Sequence, residues 1–131
     1  MAIPNLALVV DDEAHVRTFF ALMMREIGVE NTLAAADADT AFAIFQQNQP
    51  GLVVIDLNLP GGASGLDLLR RIRAVDADVY AVIFSCETSS ATVMSAVNAG
   101  ADGYIRKDTE KAEIVRQLRE ILADPVDEEE E

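Results

Sequence analysis

The chain has 131 residues, half of them apolar and a quarter charged, and its formal net charge is −13 at pH 7. This length predicts one globular domain, and the acidity argues against direct nucleic-acid binding, which requires lysine and arginine side chains that neutralise phosphates. We expect neither a secretory signal nor membrane insertion, since no apolar run reaches membrane-spanning length. The single cysteine, Cys86, rules out an internal disulfide and is typical of a reducing cytoplasm.

The C-terminal end carries an acidic block. Residues 127–131 are one aspartate and four glutamates. Such a run of like charges after Pro125 predicts a disordered, solvated tail over residues 125–131 and leaves residues 1–124 as the folded domain. An electrostatic contact with a partner is the alternative function of the tail.

Short apolar runs alternate with longer amphipathic segments along the chain. The predicted strands cover residues 6–10, 32–35, 52–55, 79–84 and 104–106. This alternation is typical of a parallel sheet with helical crossovers, and right-handed crossovers place helices on both faces. We therefore expect an α/β domain with a five-stranded, doubly wound parallel sheet in the flavodoxin-like order 2-1-3-4-5.

The first two helices are marked by their apolar spacing and by their ends. Apolar residues recur at helical spacing over residues 16–27, and Gly28 is suited to the C-terminal end of that helix. Asp37 is expected to cap the second helix. Pro50 and Gly51 separate this helix from the third strand, whose unbroken apolar sequence is typical of a central strand covered on both faces.

The last three helices differ in the apolar surface they offer. The apolar face predicted for the third helix consists of Leu68, Leu69, Ile72 and Val75. The fifth helix is amphipathic over residues 114–122, and Asp108 or Thr109 is its expected cap. The fourth helix, about residues 88–98, has the thinnest apolar face, formed by Val93, Met94 and Val97. A helix with so little to bury is predicted to be mobile.

Side chains suited to a cation and a phosphoryl group follow four of the five predicted strands. They are Asp11 and Asp12, then Asp56, Ser85 and Lys107. Ligands of open parallel sheets bind at the carboxyl ends of the strands, and the topological switch lies between the first and third strands, where the carboxylates are expected. Clustered carboxylates repel one another, and Mg²⁺, which prefers oxygen ligands, relieves that repulsion.

Each of these residues also has a purely structural interpretation. Acidic residues such as those at 11–13 are favourable at a helix N-terminus, Lys107 can be an ordinary surface lysine, and Ser85 can cap the following helix. These interpretations do not explain why Asp56 follows an unbroken apolar strand while a lysine follows the last one. The combination favours a phosphoryl site.

The chain resembles the receiver domain of two-component response regulators from about Leu6 to Leu122. The matching segments are VVDDE at 9–13, DLNLP at 56–60, the serine at 85 and AGADGYIRK at 99–107. The resemblance implies that Asp56 accepts a phosphoryl group from a sensor histidine kinase or a histidine phosphotransfer protein. The chain would then signal to a downstream protein by direct contact, without turning over a separate substrate.

The resemblance also implies roles for individual residues. Asp12, Asp56 and the backbone carbonyl of Asn58 would hold Mg²⁺, and Asp11 would assist through a water molecule. The phosphoryl oxygens would be held by Ser85 and Lys107.

Three further residues concern switching and lifetime. Tyr104 would turn inward when Ser85 moves toward the phosphoryl group. The alternative is that Tyr104 is an ordinary half-buried aromatic residue of the last strand. Asn58 and Glu87 occupy the positions that influence hydrolysis of the acyl phosphate, and the same pair occurs in the chemotaxis receiver that lacks an output domain. We therefore predict a short-lived phosphoryl group.

Some residues depart from the family pattern. Asp108 replaces the usual proline after the lysine, so a cis Lys107–Asp108 peptide would lack the help of proline. Cys86 stands where a smaller residue is usual and is interpreted as a tolerated apolar group. His15 is interpreted as a first-turn helix residue, because the sequence has no second histidine to share a metal.

Two other functions compete with a stand-alone receiver. One is the excised receiver of a DNA-binding response regulator, which Asp108 favours and the acidic end of the chain disfavours. The other is a small Mg²⁺-dependent phosphatase with an aspartyl nucleophile, which would need a substrate pocket that short loops do not supply. Within the leading hypothesis, a phosphate sink remains an alternative to a true output protein.

Overall fold

The structure, a computed structural model, describes residues 3–123. Within these residues, five parallel strands alternate with five helices, and the strand order is β2-β1-β3-β4-β5, as predicted. The strands are β1 (Leu6–Val10), β2 (Asn31–Ala35), β3 (Leu52–Ile55), β4 (Tyr80–Ser85) and β5 (Gly103–Arg106). The helices are α1 (Ala14–Glu26), α2 (Ala38–Asn48), α3 (Gly65–Val75), α4 (Ser90–Asn98) and α5 (Lys111–Leu122). The predicted tail, residues 125–131, lies outside the described residues.

Two apolar layers cover the sheet, because successive side chains of a strand point to opposite faces. On one face α1 and α5 contribute Phe20 and Leu118, which pack with Val54 of β3. On the other face α2, α3 and α4 cover the sheet, and Leu68 packs with Val53. All four residues of β3 are buried, which confirms the prediction of a central strand. Within residues 3–123, none of the helices is long and apolar enough to cross a membrane.

The predicted start of α2 is confirmed, whereas that of α5 is wrong. The Thr40 N–H donates to Asp37 Oδ1 at 2.8 Å, so Asp37 caps α2. Glu110 occupies the N-terminal cap of α5 and makes no side-chain capping hydrogen bond. Asp108 pairs with Arg106 instead, at 2.7 Å, because the helix begins only at Lys111. No peptide bond between residues 3 and 123 is cis, so the Lys107–Asp108 peptide is trans.

The apolar faces of α3 and α4 are only partly as predicted. Leu68, Leu69 and Ile72 are fully buried, but Val75 is 57% exposed because it is the last residue of α3, beyond the part that packs on the sheet.

The fourth helix ends at Asn98 and buries little, as predicted, but the apolar face predicted for it is mostly exposed. Its one buried residue is Ala96, while Met94 and Val97 are 55% and 52% exposed and Val93 is intermediate. The helix packs on the sheet through a small side chain, and its larger apolar side chains are left on the outer side.

Candidate functional site

The carboxyl ends of β1 and β3 bring three aspartates together. The Asp56 N–H donates to the carbonyl of Val10 at 2.9 Å, and the Asp11 N–H donates to the carbonyl of Ala35 at 3.1 Å, so the sheet hydrogen bonds continue one residue past the strands. Carboxylate oxygens of Asp11, Asp12 and Asp56 lie within 4.8 Å of one another. Asp11 and Asp56 are buried and Asp12 is exposed at the mouth of the site.

Lys107 extends into this cluster from the end of β5. Its Nζ lies 2.9 Å from Asp11 Oδ2 and 3.1 Å from Asp56 Oδ2, and it is 3.5 Å from Glu13 Oε1. The Lys107 backbone N–H donates to the carbonyl of Ser85 at 3.0 Å, and this bond holds the Lys107 backbone against the end of β4. One ammonium group therefore faces two buried carboxylates and a third that is half exposed.

Burial and charge shift the titration of these groups in predictable directions. Burial raises the pKa of Asp56, and the nearby charge of Asp11 acts in the same direction, while the Asn58 N–H at 3.2 Å from Oδ1 and the ammonium of Lys107 oppose the shift. Burial disfavours the charged form of Lys107, but the close contacts with the charged carboxylates of Asp11 and Asp56 outweigh it and raise the lysine pKa. The lysine is therefore fixed as a cation, whereas ionisation of Asp56 depends on positive charge close by.

The cluster has the donor set for a hard divalent cation. Asp11 Oδ1 accepts a hydrogen bond from the Glu13 N–H at 2.9 Å, but the buried Oδ2 has no hydrogen-bond partner among the described residues. Lys107 Nζ forms an ion pair with that oxygen at 2.9 Å. This oxygen of Asp11, together with the carboxylates of Asp12 and Asp56, is a suitable ligand for Mg²⁺, which takes oxygen ligands and retains waters.

Ser85 and Tyr104 both hydrogen-bond to the backbone of Glu87. Ser85 is fully buried, and its Oγ accepts a hydrogen bond from the Glu87 N–H at 3.2 Å, which leaves the hydroxyl proton free to be donated. The Tyr104 hydroxyl donates to the carbonyl of Glu87 at 2.7 Å, and the ring is partly buried against the α2–α3–α4 side of the core. Burial raises the pKa of Tyr104, the charges of Glu87 and Asp56 add to the shift, and the nearby Ser85 opposes it.

The remaining predicted residues lie around the mouth of the site. Asn58 and Glu87 are exposed. Cys86 is exposed, and together with Lys107 it lines a cavity of about 180 Å³. A second cavity, of about 250 Å³, is lined by His15 and Lys107. The structure therefore brings Asp11, Asp12, Asp56, Ser85 and Lys107 to one edge of the sheet, and Tyr104 is linked to Ser85 through the backbone of Glu87.

Gly65 is a site residue that the sequence did not single out. It is the first residue of α3, and a Cβ atom there would lie 2.1 Å from the carbonyl oxygen of Asp56 and 2.8 Å from Leu57 Cα. The backbone carrying Asp56 and the start of α3 are thus in closer contact than any side chain permits. The signal in the sequence was a glycine directly after Ser64, which begins a capping box with Asp67.

Comparison with known proteins agrees with this geometry. Residues 7–119 match the family model of the response regulator receiver domain. Chemotaxis protein CheY-3 of Vibrio cholerae serotype O1 is 32% identical over 117 residues, which are 88% of this chain and 89% of CheY-3. The DNA-binding response regulator MtrA of Mycobacterium tuberculosis strain H37Rv is 34% identical over 112 residues, which are 86% of this chain and 48% of MtrA. The chain therefore spans about half the length of MtrA.

A solved structure leads to the same family. The crystal structure of a LuxR-family two-component response regulator from Aurantimonas sp. SI85-9A1 is similar with a TM-score of 0.82 and 32% identity, and the match covers 92% of this chain and 86% of that one. Because the family match extends over most of the chain, on a sheet whose carboxyl edge gathers three aspartates, a serine and a lysine, the chain belongs to the response regulator receiver family.

Proposed function

We propose that Asp56 accepts a phosphoryl group from a phosphohistidine of a sensor histidine kinase or phosphotransfer protein, and that the chain then signals by protein–protein contact. The observation that carries the proposal is the setting of the Asp56 carboxylate. It is buried at the end of β3, between the Lys107 ammonium at 3.1 Å and the Asn58 N–H at 3.2 Å, beside two further aspartates. A buried acid surrounded by positive charge and hydrogen-bond donors is suited to nucleophilic attack on phosphorus.

The chemistry follows from those contacts. A carboxylate oxygen of Asp56 forms a bond to phosphorus while the bond between phosphorus and the donor imidazole breaks, and the imidazole leaves with the electron pair of that bond. Lys107 and the Ser85 hydroxyl stabilise the negative charge on the phosphoryl oxygens. Mg²⁺, which Asp11, Asp12, Asp56 and the Asn58 carbonyl would hold, supplies further positive charge next to those oxygens when bound.

The proposed acceptor is tested by intact-mass measurement of the protein with acetyl phosphate and Mg²⁺. Wild type is expected to gain one phosphoryl group, and Asp56→Asn none, because the amide is not a nucleophile. Asp39→Asn is the matched control, since Asp39 is an exposed aspartate of α2 that pairs with Arg71. Equal labelling of wild type and Asp56→Asn would refute the assignment, as would wild type that stays unmodified with a phosphohistidine donor as well.

The phosphoryl group is expected to be lost by fast self-hydrolysis. The exposed polar side chains of Asn58 and Glu87 stand at the mouth of the site, in contact with solvent. Asn58→Leu is expected to slow the decay of the adduct by about tenfold, because it removes a polar group that helps to position water. Asn48→Leu, at the end of α2, should leave the decay unchanged. A wild-type adduct that persists for hours in Mg²⁺ buffer would contradict the prediction.

The site is proposed to act on its own phosphoryl group and not on a separate phosphoester. The two cavities that Lys107 lines, about 180 and 250 Å³, are small for the organic part of a substrate. We also propose residues 1–124 as the receiver domain, the acidic residues 125–131 as a tail, and the reducing cytoplasm as the location, given the single free cysteine. Turnover of p-nitrophenyl phosphate by wild type, and its loss in Asp56→Asn, would favour a phosphatase instead.

A further inference from the structure

The turn between β1 and α1 carries two of the three clustered aspartates, Asp11 and Asp12. Asp11 is 2% exposed, and its N–H donates to the carbonyl of Ala35 at the end of β2. Glu13 occupies the N-terminal cap of α1 but makes no side-chain capping hydrogen bond. The contact that usually fastens a chain to the start of a helix is therefore missing at this turn.

Arg17 supplies a different contact between the helix and the turn. It is the fourth residue of α1, and its Nη1 donates to the backbone carbonyl oxygen of Asp11 at 2.8 Å. The bond spans six residues of the chain and is partly buried. A hydrogen bond from a charged donor is stronger than one between neutral groups. The guanidinium thus ties the peptide between Asp11 and Asp12 to the body of α1.

The hydrogen bond of Arg17 and its charge act in opposite directions on a cation in the site. Without the bond, the carbonyl of a buried residue lacks a partner, and the peptide is expected to turn toward water. Such a rotation displaces Asp12, whose carboxylate is exposed at the mouth of the site. The positive charge of the guanidinium, by contrast, repels a nearby cation. The sign of the change on removal of Arg17 therefore identifies the dominant effect.

We propose that Arg17 is a positioning residue for Mg²⁺, which holds the Asp11–Asp12 peptide in the orientation that presents both carboxylates to the cation. The proposal rests on the proposed function for the Mg²⁺ ligands Asp11 and Asp12, and it does not depend on Asp56 as the phosphoryl acceptor. Arg17 acts through the carbonyl of Asp11 and binds neither the cation nor the phosphoryl group.

Calorimetric titration of the unphosphorylated chain with MgCl₂ tests this role without any phosphoryl chemistry. Arg17→Met is expected to bind Mg²⁺ about tenfold more weakly than wild type, the lower end of the range for residues that orient metal ligands. Arg25→Met is the matched control, since Arg25 is an exposed arginine in the last turn of the same helix, and it should bind Mg²⁺ as wild type does. Binding by Arg17→Met as tight as in wild type, or tighter, would overturn the proposal.

The Mg²⁺ dependence of phosphorylation separates positioning from direct participation in the transfer. With acetyl phosphate as the donor, Arg17→Met should react more slowly than wild type at low Mg²⁺ and approach the wild-type rate when Mg²⁺ is saturating. A loss of rate that persists at saturating Mg²⁺ would contradict the proposal, because Arg17 would then act on the transferred group itself.

NMR of the wild-type protein decides the question even if Arg17→Met does not fold. The side-chain N–H signals of Arg17 are expected to exchange with water more slowly than those of Arg25, and to shift when Mg²⁺ is added. Equal exchange of the two arginines, or no response of Arg17 to Mg²⁺, would refute the role. Failure of the proposed function would look different, since Asp56 would stay unmodified by acetyl phosphate while the titrations still ranked the two arginine variants.

Discussion

Lys107→Met is expected to slow the phosphorylation of Asp56 by about a hundredfold, the cost of removing one fixed group that stabilises developing negative charge. It is also expected to lower the free energy of unfolding in Mg²⁺-free buffer by about 3 kcal/mol, because the buried carboxylates lose the ammonium that pairs with them. Both Asp11 and Asp56 have that ammonium within about 3 Å and almost no exposure to water. Adding Mg²⁺ should therefore raise the Tm of the variant more than that of wild type.

The destabilisation caused by Lys107→Met is expected to become smaller at low pH. Burial already raises the pKa of Asp56, and loss of the lysine removes a group that lowers it, so the folded-state pKa of the acid rises further in the variant. An acid whose pKa is raised by folding lowers the free energy of unfolding at pH values above its unfolded-state pKa. This loss of stability disappears when the acid is protonated in both the folded and the unfolded state. The Tm difference between wild type and variant should shrink as pH falls through the raised pKa of Asp56.

Lys111→Met is the control for this experiment, since the chain has one other lysine in the described residues. Lys111 pairs with Glu26 on the surface and is 54% exposed, so its loss should cost less than about 1 kcal/mol and leave phosphorylation unchanged. Thermal unfolding with and without Mg²⁺, together with the rate of adduct formation, measures both effects. If the two lysine variants behave alike, Lys107 does not neutralise the cluster.

The site could be predicted from the sequence because its residues are placed by topology. Four of the five apolar runs are followed by a polar residue, and parallel strands bring such ends to one edge of the sheet whatever the side chains contact. Asp11, Asp56 and Lys107 follow strands β1, β3 and β5, which are fixed by their register, and their meeting is a consequence of the strand order. Apolar runs reveal strands well, since a strand covered on both faces needs no periodicity to be recognised.

The features that escaped prediction depend on close contacts between distant segments. Hydrophobic spacing assigned Met94 to the buried face of α4, but the helix approaches the sheet through Ala96, which a hydrophobicity pattern does not distinguish from a surface alanine. Arg73 was one charged residue among several on α3, and its bonds to Gly100 and Val79 arise only when the chain is folded. The same applies to Gly65. No side chain larger than hydrogen fits there, because the backbone of Asp56 and Leu57 lies too close.

Gly65→Ala is expected to destabilise the protein by about 3 kcal/mol, the upper part of the range for overpacking. The added Cβ would lie 2.1 Å from the Asp56 carbonyl oxygen, and because that neighbour is backbone, it cannot move aside by a side-chain rotation. Alanine at a tolerant helical position would instead stabilise by up to about 1 kcal/mol, so the sign of the change is itself informative. The displaced segment carries Asp56, and phosphorylation by acetyl phosphate should slow as well.

Gly62→Ala separates this clash from the backbone conformation of glycine. Gly62 has φ of +89° and open space where a Cβ would stand, so alanine there should cost about 1 kcal/mol from conformation alone and spare the phosphorylation rate. Tm and the rate of adduct formation should therefore both fall for Gly65→Ala, and Tm alone for Gly62→Ala. A Gly65→Ala protein as stable and as reactive as wild type would show that α3 can move away from Asp56, so that the backbone of the acceptor is not held by this contact.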